Sequence, residues 1–415
     1  MDKINSRIVL ITSGQPSLNP RLVKEADTLS AHGYEVEVLY QYWNAWGTNL
    51  DNILLKDKKW VHKRIGGSPI VDKYVYFYTR LSHKIAKILL KYFGFIGGLP
   101  ELAIGRSTYL LIKAAKRTKA DLYIAHNLAA LPAAVNAALK NKAVCGFDAE
   151  DFHRNEVSNH TSSLEFRLSS FIEDKYFPKL NYFTTASPLI SQAYEKLYSK
   201  LSPKTILNVF PKQIIQVHPD AGVKLKLFWF SQSIGFERGL EDVIEAMGAL
   251  SNPNVELHLL GSFTPTIKLA FEEYADKHGT DPSSLFFYQP ISSSEIFSFA
   301  TQFDIGLATE IGSPKNRDLC LTNKIFTYIH SGLAIIASDT SAQKELMTKF
   351  NQIGMIYKRT DKISLQNIFN MYLQNKDLLI KHKIEAKTCA NNELNWDKEQ
   401  YKFLDVINSV INTKV

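Results

Sequence analysis

The feature that most constrains this chain is a strand–loop–helix–strand series that occurs twice, at the start and again past the middle. RIVLIT, a short β-rich apolar run, is followed by the polar SGQPSLNP, the helical stretch RLVKEADTLSAHG and the alternating EVEVLY, with Gly33 placed to cap the helix. The second half restarts as LKLFWFS, SIGFERG, the helix LEDVIEAMGALS and VELHLLG. Further short apolar runs follow each series: DLYIAH, AVCGFD, YFTTAS and TILNVF in the first half, SLFFYQ, DIGLAT, AIIAS and GMIY in the second. Helical stretches such as LAALPAAVNAALKN and SPLISQAYEKLYSK separate them. Strands alternating with helices pair in parallel, because a helical crossover brings the next strand back in the same direction. The expected fold class is α/β, with two Rossmann-like doubly wound domains facing one another across a cleft, and ligands at the carboxyl ends of the sheets.

A length of 415 residues suits two cores better than one. PKQIIQVHPDAGVK, near residues 211–224, carries two prolines, a glycine and few helix signals, and marks the boundary. The expected domains are 1–210 and 211–390. Residues 391–415 form an amphipathic helix, with Trp396, Phe403, Val406, Ile407 and Val410 as its apolar positions, packing back on the first domain. Hydrophobic residues at 45% and charged residues at 22% exclude a mainly disordered chain. Cys145, Cys320 and Cys389 form no C-x-x-C pair, which excludes a disulfide framework or zinc knuckle and fits a reducing compartment. The five-residue apolar run before Gly14 is too short for a signal peptide, and no stretch reaches the ~18 apolar residues of a spanning helix. A cytoplasmic protein, soluble or peripheral to the inner face of a membrane, is expected.

Two segments carry candidate chemistry. In FWFSQSIGFERGLEDVIEAM a strand ends in a turn containing Gly235, and a helix begins near Gly239. Free N–H groups at that helix start, with the Arg238 guanidinium, make a phosphate or diphosphate site; an ordinary strand-to-helix loop with a solvated arginine is the alternative. In NRDLCLTNKIFTYIHSGLAIIASD a polar loop enters a helix at about Asn323 to His330, stopped by Gly332. A buried strand entered from a glycine cap accounts for the second part, but not for Asn316, Arg317, Asn323 and Lys324 crowded at one mouth.

These two segments resemble the donor-binding signatures of the retaining, nucleotide-sugar-dependent glycosyltransferases with the GT-B fold (group 1, family 4-like). Members show a Gly-Arg-x-x-x-x-Lys-Gly-like turn and later an Asn-Lys-x-x-Glu-Tyr-x-x-x-Gly-like stretch. The resemblance extends to SGQPSLNPRLVKEADTLSAHGYEVEV, DLYIAHNLAALPAA, FDAEDFH and SPLISQAYEKLY. It implies that Arg238 holds the donor's diphosphate and that His126 stands close to the donor sugar. It also puts Ser233 where an arginine is usual, leaving Lys324 or Arg317 to replace that charge. Gly14 would let backbone approach the ligand. Asp148, Glu150, Asp151 and His153 resemble an acidic segment near the acceptor, with salt bridging as an equal use. Of the family's two glutamates, Leu319 stands at the first position and Thr327 at the second, so the ribose contact would need the Thr327 hydroxyl, Glu345 or Glu310. The resemblance implies transfer to a glycan or lipid-linked acceptor, as in surface polysaccharide synthesis, with retention. No cofactor and no metal are expected, and no Asp-x-Asp pair occurs. The rival readings are a sugar-nucleotide epimerase and a non-catalytic, transferase-like binding subunit.

Residues 53–120 hold 15 Lys/Arg against 3 Asp/Glu, within a net charge of +8. In VYFYTRLSHKIAKILLKYFGFIGG, Arg80, Lys84, Lys87 and Lys91 fall on one helical stripe. Leu81, Ile85, Ile88, Leu89 and Tyr92 fall on another, about 115° away. Such a helix can lie on an anionic membrane, or can pack its apolar stripe on its own domain. No nucleic-acid motif accompanies the charge, so nucleic acid is not an expected partner.

Overall fold

A computed structural model describes residues 6–215, 222–250, 252–359 and 361–412. The chain forms two compact units. The first holds the described residues up to Leu207, with Pro314–Asn316 and those from Gln400 on; the second holds Asn208–Ser313 and Arg317–Glu399. Residues 216–221 of the expected boundary segment lie outside the described residues.

The first unit is built on a seven-stranded parallel sheet: β1 (Arg7–Thr12), β2 (Glu35–Gln41), β3 (Val61–Ile65), β4 (Leu122–His126), β5 (Val144–Ala149), β6 (Tyr182–Thr185) and β7 (Lys204–Thr205), in the order β3-β2-β1-β4-β5-β6-β7. The second has a six-stranded parallel sheet: β8 (Leu225–Ser233), β9 (Val255–Ser262), β10 (Leu285–Tyr288), β11 (Ile305–Ala308), β12 (Ala334–Ser338) and β13 (Gly354–Tyr357), in the order β10-β9-β8-β11-β12-β13. Both orders reverse beside their first strand. The loops after β1 and β4, and after β8 and β11, therefore diverge and leave a crevice at the carboxyl ends.

The central strands are apolar without alternation because helices cover both faces. All five residues of β4 and of β12 are buried. Fully burying one such Ile or Leu side chain is worth about 1.5–3 kcal/mol. Two elements differ from expectation. TILNVF is not a strand beyond Lys204–Thr205, because the Ile206 carbonyl, instead of continuing the ladder, accepts from Arg21 Nη1 at 2.6 Å. Val61–Ile65, inside the basic segment, is a strand that hydropathy did not mark. Its first three residues are exposed, as suits a charged strand at the sheet edge. Helix Trp396–Asn412 buries Trp396, Phe403 and Ile407, while Val406 and Val410 are half-buried. Tyr34 Oη donates to Asn408 Oδ1 at 2.6 Å. Among the described residues no helix is long and apolar enough to cross a membrane.

Candidate active site

In the first unit the loop after β1 is held by side-chain hydrogen bonds. Ser13 Oγ donates to Asn127 Oδ1 at 2.6 Å, and Asn127 Nδ2 donates to Thr12 Oγ1 at 2.9 Å. Gln15 Oε1 accepts from the backbone N–H groups of Trp43 and Asn44 at 3.0 and 2.9 Å. Asn127 follows β4 with a φ of 65°, a left-handed conformation that asparagine tolerates better than most residues. A strained residue at a strand end, over-determined by its partners, is a common device for presenting a loop to a ligand. Thr12, Ser13, Gln15 and Asn127 line a cavity of about 340 Å³ at the carboxyl end of the sheet, whose wall also includes Gly14, Glu150, Asp151 and His153. A Cβ on Gly14 would meet only Thr12 Oγ1, at 3.8 Å, so packing does not demand glycine there; its lack of a side chain leaves the cavity open.

Behind this cavity lies a cluster of buried charge. Helix Pro20–Ala31 presents Arg21 and Glu25, four residues apart and both fully buried, to His126 and Asp148 at the ends of β4 and β5. Arg21 grips both oxygens of Asp148, with Nη2 at 2.7 Å from Oδ1 and Nε on Oδ2, and Thr184 Oγ1 donates to Oδ1 at 2.7 Å. His126 Nε2 is 3.2 Å from Glu25 Oε2, and Nδ1 is 3.5 Å from Asp148 Oδ2. Burial opposes every charge here, yet Arg21 and His126 together hold the Asp148 carboxyl below its ordinary range. Burial likewise opposes the His126 cation, but Glu25 and Asp148 raise its pKa. Glu25, His126 and Asp148 bring metal-ligand-type atoms within 4.8 Å of one another. Arg21, also 3.4 Å from Glu25 Oε1, sets a cation against the same carboxylates, while both Glu25 oxygens and both His126 ring nitrogens have no hydrogen-bond partner among the described residues. Nearer the cavity, burial and then Asp148 push Glu150 up to about 7, while burial and then Arg21 lower Lys24 to about 7. His153 Nδ1 is 2.8 Å from Glu156 Oε2; the pair outweighs burial and raises His153 to about 9.

The sequence grouped His126 and Asp148 with ligand-facing residues. The structure places both at 0% exposure inside the cluster, and Asn127, Glu150, Asp151 and His153 at the cavity. Asn316, expected beside Arg317, turns instead to this unit. Its Oδ1 accepts from Phe152 N and its Nδ2 donates to Asp151 Oδ1, both at 2.7 Å.

In the second unit the loop between β8 and helix Leu240–Leu250 is pinned to the end of β11. Thr309 Oγ1 donates to the Arg238 carbonyl at 2.8 Å. Gly239, with φ 74°, lies so close that a Cβ would stand 2.4 Å from the Thr309 carbonyl oxygen. Glu237, also left-handed at φ 61°, donates its N–H to the Glu241 carboxylate. Arg238 is half-exposed, its Nη1 3.3 Å from Ser231 Oγ.

Glu310, buried just past β11, is paired with a lysine. Lys324 Nζ, at the start of helix Asn323–Ser331, lies 2.6 Å from Glu310 Oε1 and 5.4 Å from the centroid of the buried Trp229 ring. Burial pushes the Glu310 carboxyl up, but the fields of Lys324, Arg317 and Arg238 together hold it below its ordinary value. Three cations thus act on one carboxylate at the carboxyl end of the sheet. Ser233, Asn323 and Glu345 are exposed, and Gly235 has no neighbour within 4 Å of an added Cβ. Thr327 is buried and its hydroxyl returns to the Asn323 carbonyl at 3.0 Å. Sequence reasoning missed Asn127, Ser13 and Thr309. Only Asn127 carried a local signal, an asparagine directly after a strand.

At the level of sequence, no family profile and no curated protein matches the chain. Solved structures do match. Sucrose-phosphate synthase from Thermosynechococcus elongatus is 11% identical, covering 98% of this chain and 100% of its own, with a TM-score of 0.72. Anabaena HepE in complex with UDP-glucose is 13% identical over 97% and 100%, at 0.69. WaaG, a glycosyltransferase involved in lipopolysaccharide biosynthesis, is 12% identical over 93% and 95%, at 0.60. The chain has the GT-B fold of these proteins, two parallel-sheet α/β domains of seven and six strands.

Proposed function

We propose that the protein is a glycosyltransferase that moves a sugar from a nucleotide-sugar donor to a glycan or lipid-linked acceptor, with retention and without a metal. The observation that carries this reading is the Lys324–Glu310 pair at 2.6 Å, on which the fields of Arg238 and Arg317 also act, beside the Gly239-pinned start of helix Leu240–Leu250. A nucleoside diphosphate is the ligand such a site suits, since it brings negative charge to three cations and to the start of a helix. HepE, of like fold, is complexed with UDP-glucose.

In the proposed reaction the bond from the anomeric carbon to the diphosphate oxygen breaks and a bond to the acceptor hydroxyl oxygen forms. The acceptor's proton passes to the departing diphosphate. Charge grows on that diphosphate as the bond breaks, so the cations stabilise the transition state more than the ground state. Loss of the Glu310–Lys324 pair on binding would free Lys324 for phosphate. The acceptor is received by the first unit, where Glu150, Asp151 and His153 meet its hydroxyls. His126 acts as a positioning residue through Glu25 and Asp148.

The test is to incubate the full chain with a panel of nucleotide sugars, with and without glycan and lipid-linked acceptors, and follow products by mass spectrometry. Conversion of donor alone to an isomer would identify an epimerase instead. Absence of binding to every nucleotide sugar in calorimetry would leave only a binding subunit.

A further inference from the structure

Helix Lys73–Phe93 is held to its unit by one narrow face. Thr79, Ala86 and Leu90 are buried, and His83 Nδ1 lies 3.1 Å from the Leu102 carbonyl oxygen. Its larger apolar residues turn outward: Tyr78 is 65% exposed, Leu81 59%, Ile85 45%, Ile88 47% and Tyr92 79%. Their spacing of three and four residues makes one continuous stripe, so the alternative of a stripe packed on its own domain does not hold. Beside it, His83, Lys84, Lys87 and Lys91 line a groove of about 770 Å³ whose other wall is Ser162–Glu165 and Arg167, at the opening of helix Leu164–Tyr176.

The groove is cationic, with four Lys/Arg side chains against one acid. Among the described residues Lys84, Lys87 and Lys91 have no carboxylate within ion-pair distance, and Glu165 is the one acid in the lining. Arg167 stacks on the Phe95 ring, 5.1 Å from its centroid. Arg80, grouped with the lysines by sequence, is set apart. Its guanidinium lies 3.3 Å from the Tyr76 ring centroid, and its Nη1 donates to the Tyr76 carbonyl. A bare apolar stripe alongside unpaired cations matches a molecule with a hydrocarbon part and a phosphate part.

We propose that groove and stripe are one site for a phosphate-bearing membrane lipid, its phosphate among Lys84, Lys87, Lys91 and Arg167 and its hydrocarbon along Leu81, Ile85, Ile88 and Tyr92. The proposal rests on the glycosyl-transfer reading and names its acceptor class: the sugar-accepting hydroxyl belongs to the head of a lipid, not to a free sugar. Helix Leu164–Tyr176 gives the connection, since Ser169 lines the sheet-end cavity while Leu164 and Arg167 line the groove. A head group reaching past that helix enters the cavity of Glu150 and His153.

The test is co-sedimentation of the full chain with phosphatidylcholine vesicles, with and without a minor share of phosphatidylglycerol. Binding is expected on the anionic vesicles alone, weakening as salt rises. Replacing Lys84, Lys87 and Lys91 together by Gln should lower it roughly 100-fold, given the usual contribution of a lysine at an anionic surface, and replacement by Arg should keep it. Ile85→Ser with Ile88→Ser should also lower it while leaving the charge intact. Equal binding to neutral and anionic vesicles, or full retention by the Gln variant, would overturn the proposal. So would a groove that binds inorganic pyrophosphate while no vesicle binds, which would make it a site for soluble anions. The Gln variant should bind nucleotide sugars as the parent does. If the parent binds none, the transfer reading fails, and the vesicle result still decides the lipid site.

Discussion

The two units each bring charge to the carboxyl end of a parallel sheet, and they do it oppositely. In the first, Arg21, Glu25, His126 and Asp148 are all at 0% exposure and set charge against charge, with the Glu25 oxygens and His126 ring nitrogens in ion-pair contact but without a hydrogen bond. In the second, Arg238 and Arg317 stay half-exposed, and their fields add to that of the paired Lys324 at one buried carboxylate. A closed, balanced cluster has little left to offer a ligand, and its value lies in fixing strand ends and the loops they carry. On the proposed reading an open cluster with half-exposed cations is the one left to meet an anion, and the contrast gives rigidity to one region and ligand charge to the other.

The sharpest way to break this contrast is Asp148→Asn. It leaves the Arg21 guanidinium buried without its carboxylate, and should cost about 3–5 kcal/mol in denaturant unfolding. Nucleotide affinity of whatever folds should be unchanged; a variant that is stable but loses nucleotide would put the ligand charge in the wrong region. Arg238→Ala is the reciprocal case. It should weaken nucleoside diphosphate binding by about 1–3 kcal/mol in calorimetry with the melting temperature held, and unchanged affinity would remove its phosphate role.

Gly239→Ala tests whether the open cluster depends on its loop. The left-handed φ alone costs an alanine about 1–2 kcal/mol, before its contact with the Thr309 carbonyl. Stability and nucleotide affinity should fall together. The smallest effect is one of pH. His153 has a folded pKa raised to about 9, so its pairing with Glu156 stabilises fully below about 6.5 and is lost as pH rises through 9. With Glu156 half-exposed the term is about 1 kcal/mol or less, read as a flatter stability curve between pH 7 and 9 for Glu156→Gln.

Much of this was legible in the sequence because it is local. Apolar runs alternating with helical periods gave strands such as Leu122–His126 and Ala334–Ser338, whose residues are buried on both faces whatever their neighbours. The place of Arg238 and Lys324 at helix starts was also readable, from a few residues on either side. The strand Val61–Ile65 was missed because an edge strand can be polar, and its register depends on a partner far along the chain. Exposure of the Leu81–Tyr92 stripe was not readable either, since periodicity identifies an apolar face but not what covers it.

The sequence by itself determined the class of fold, the elements and the residue types at the strand ends. Those follow from hydrophobic period and backbone propensity, which act over a few residues. Only the tertiary structure decided that Arg21, 127 residues from Asp148, would close a charge cluster around His126, and that Lys324 would meet Glu310. Pairing and burial of charge depend on which helix is laid over which strand end, and the energy of a buried ion varies steeply with its nearest partner. Local pattern carries no record of that distance.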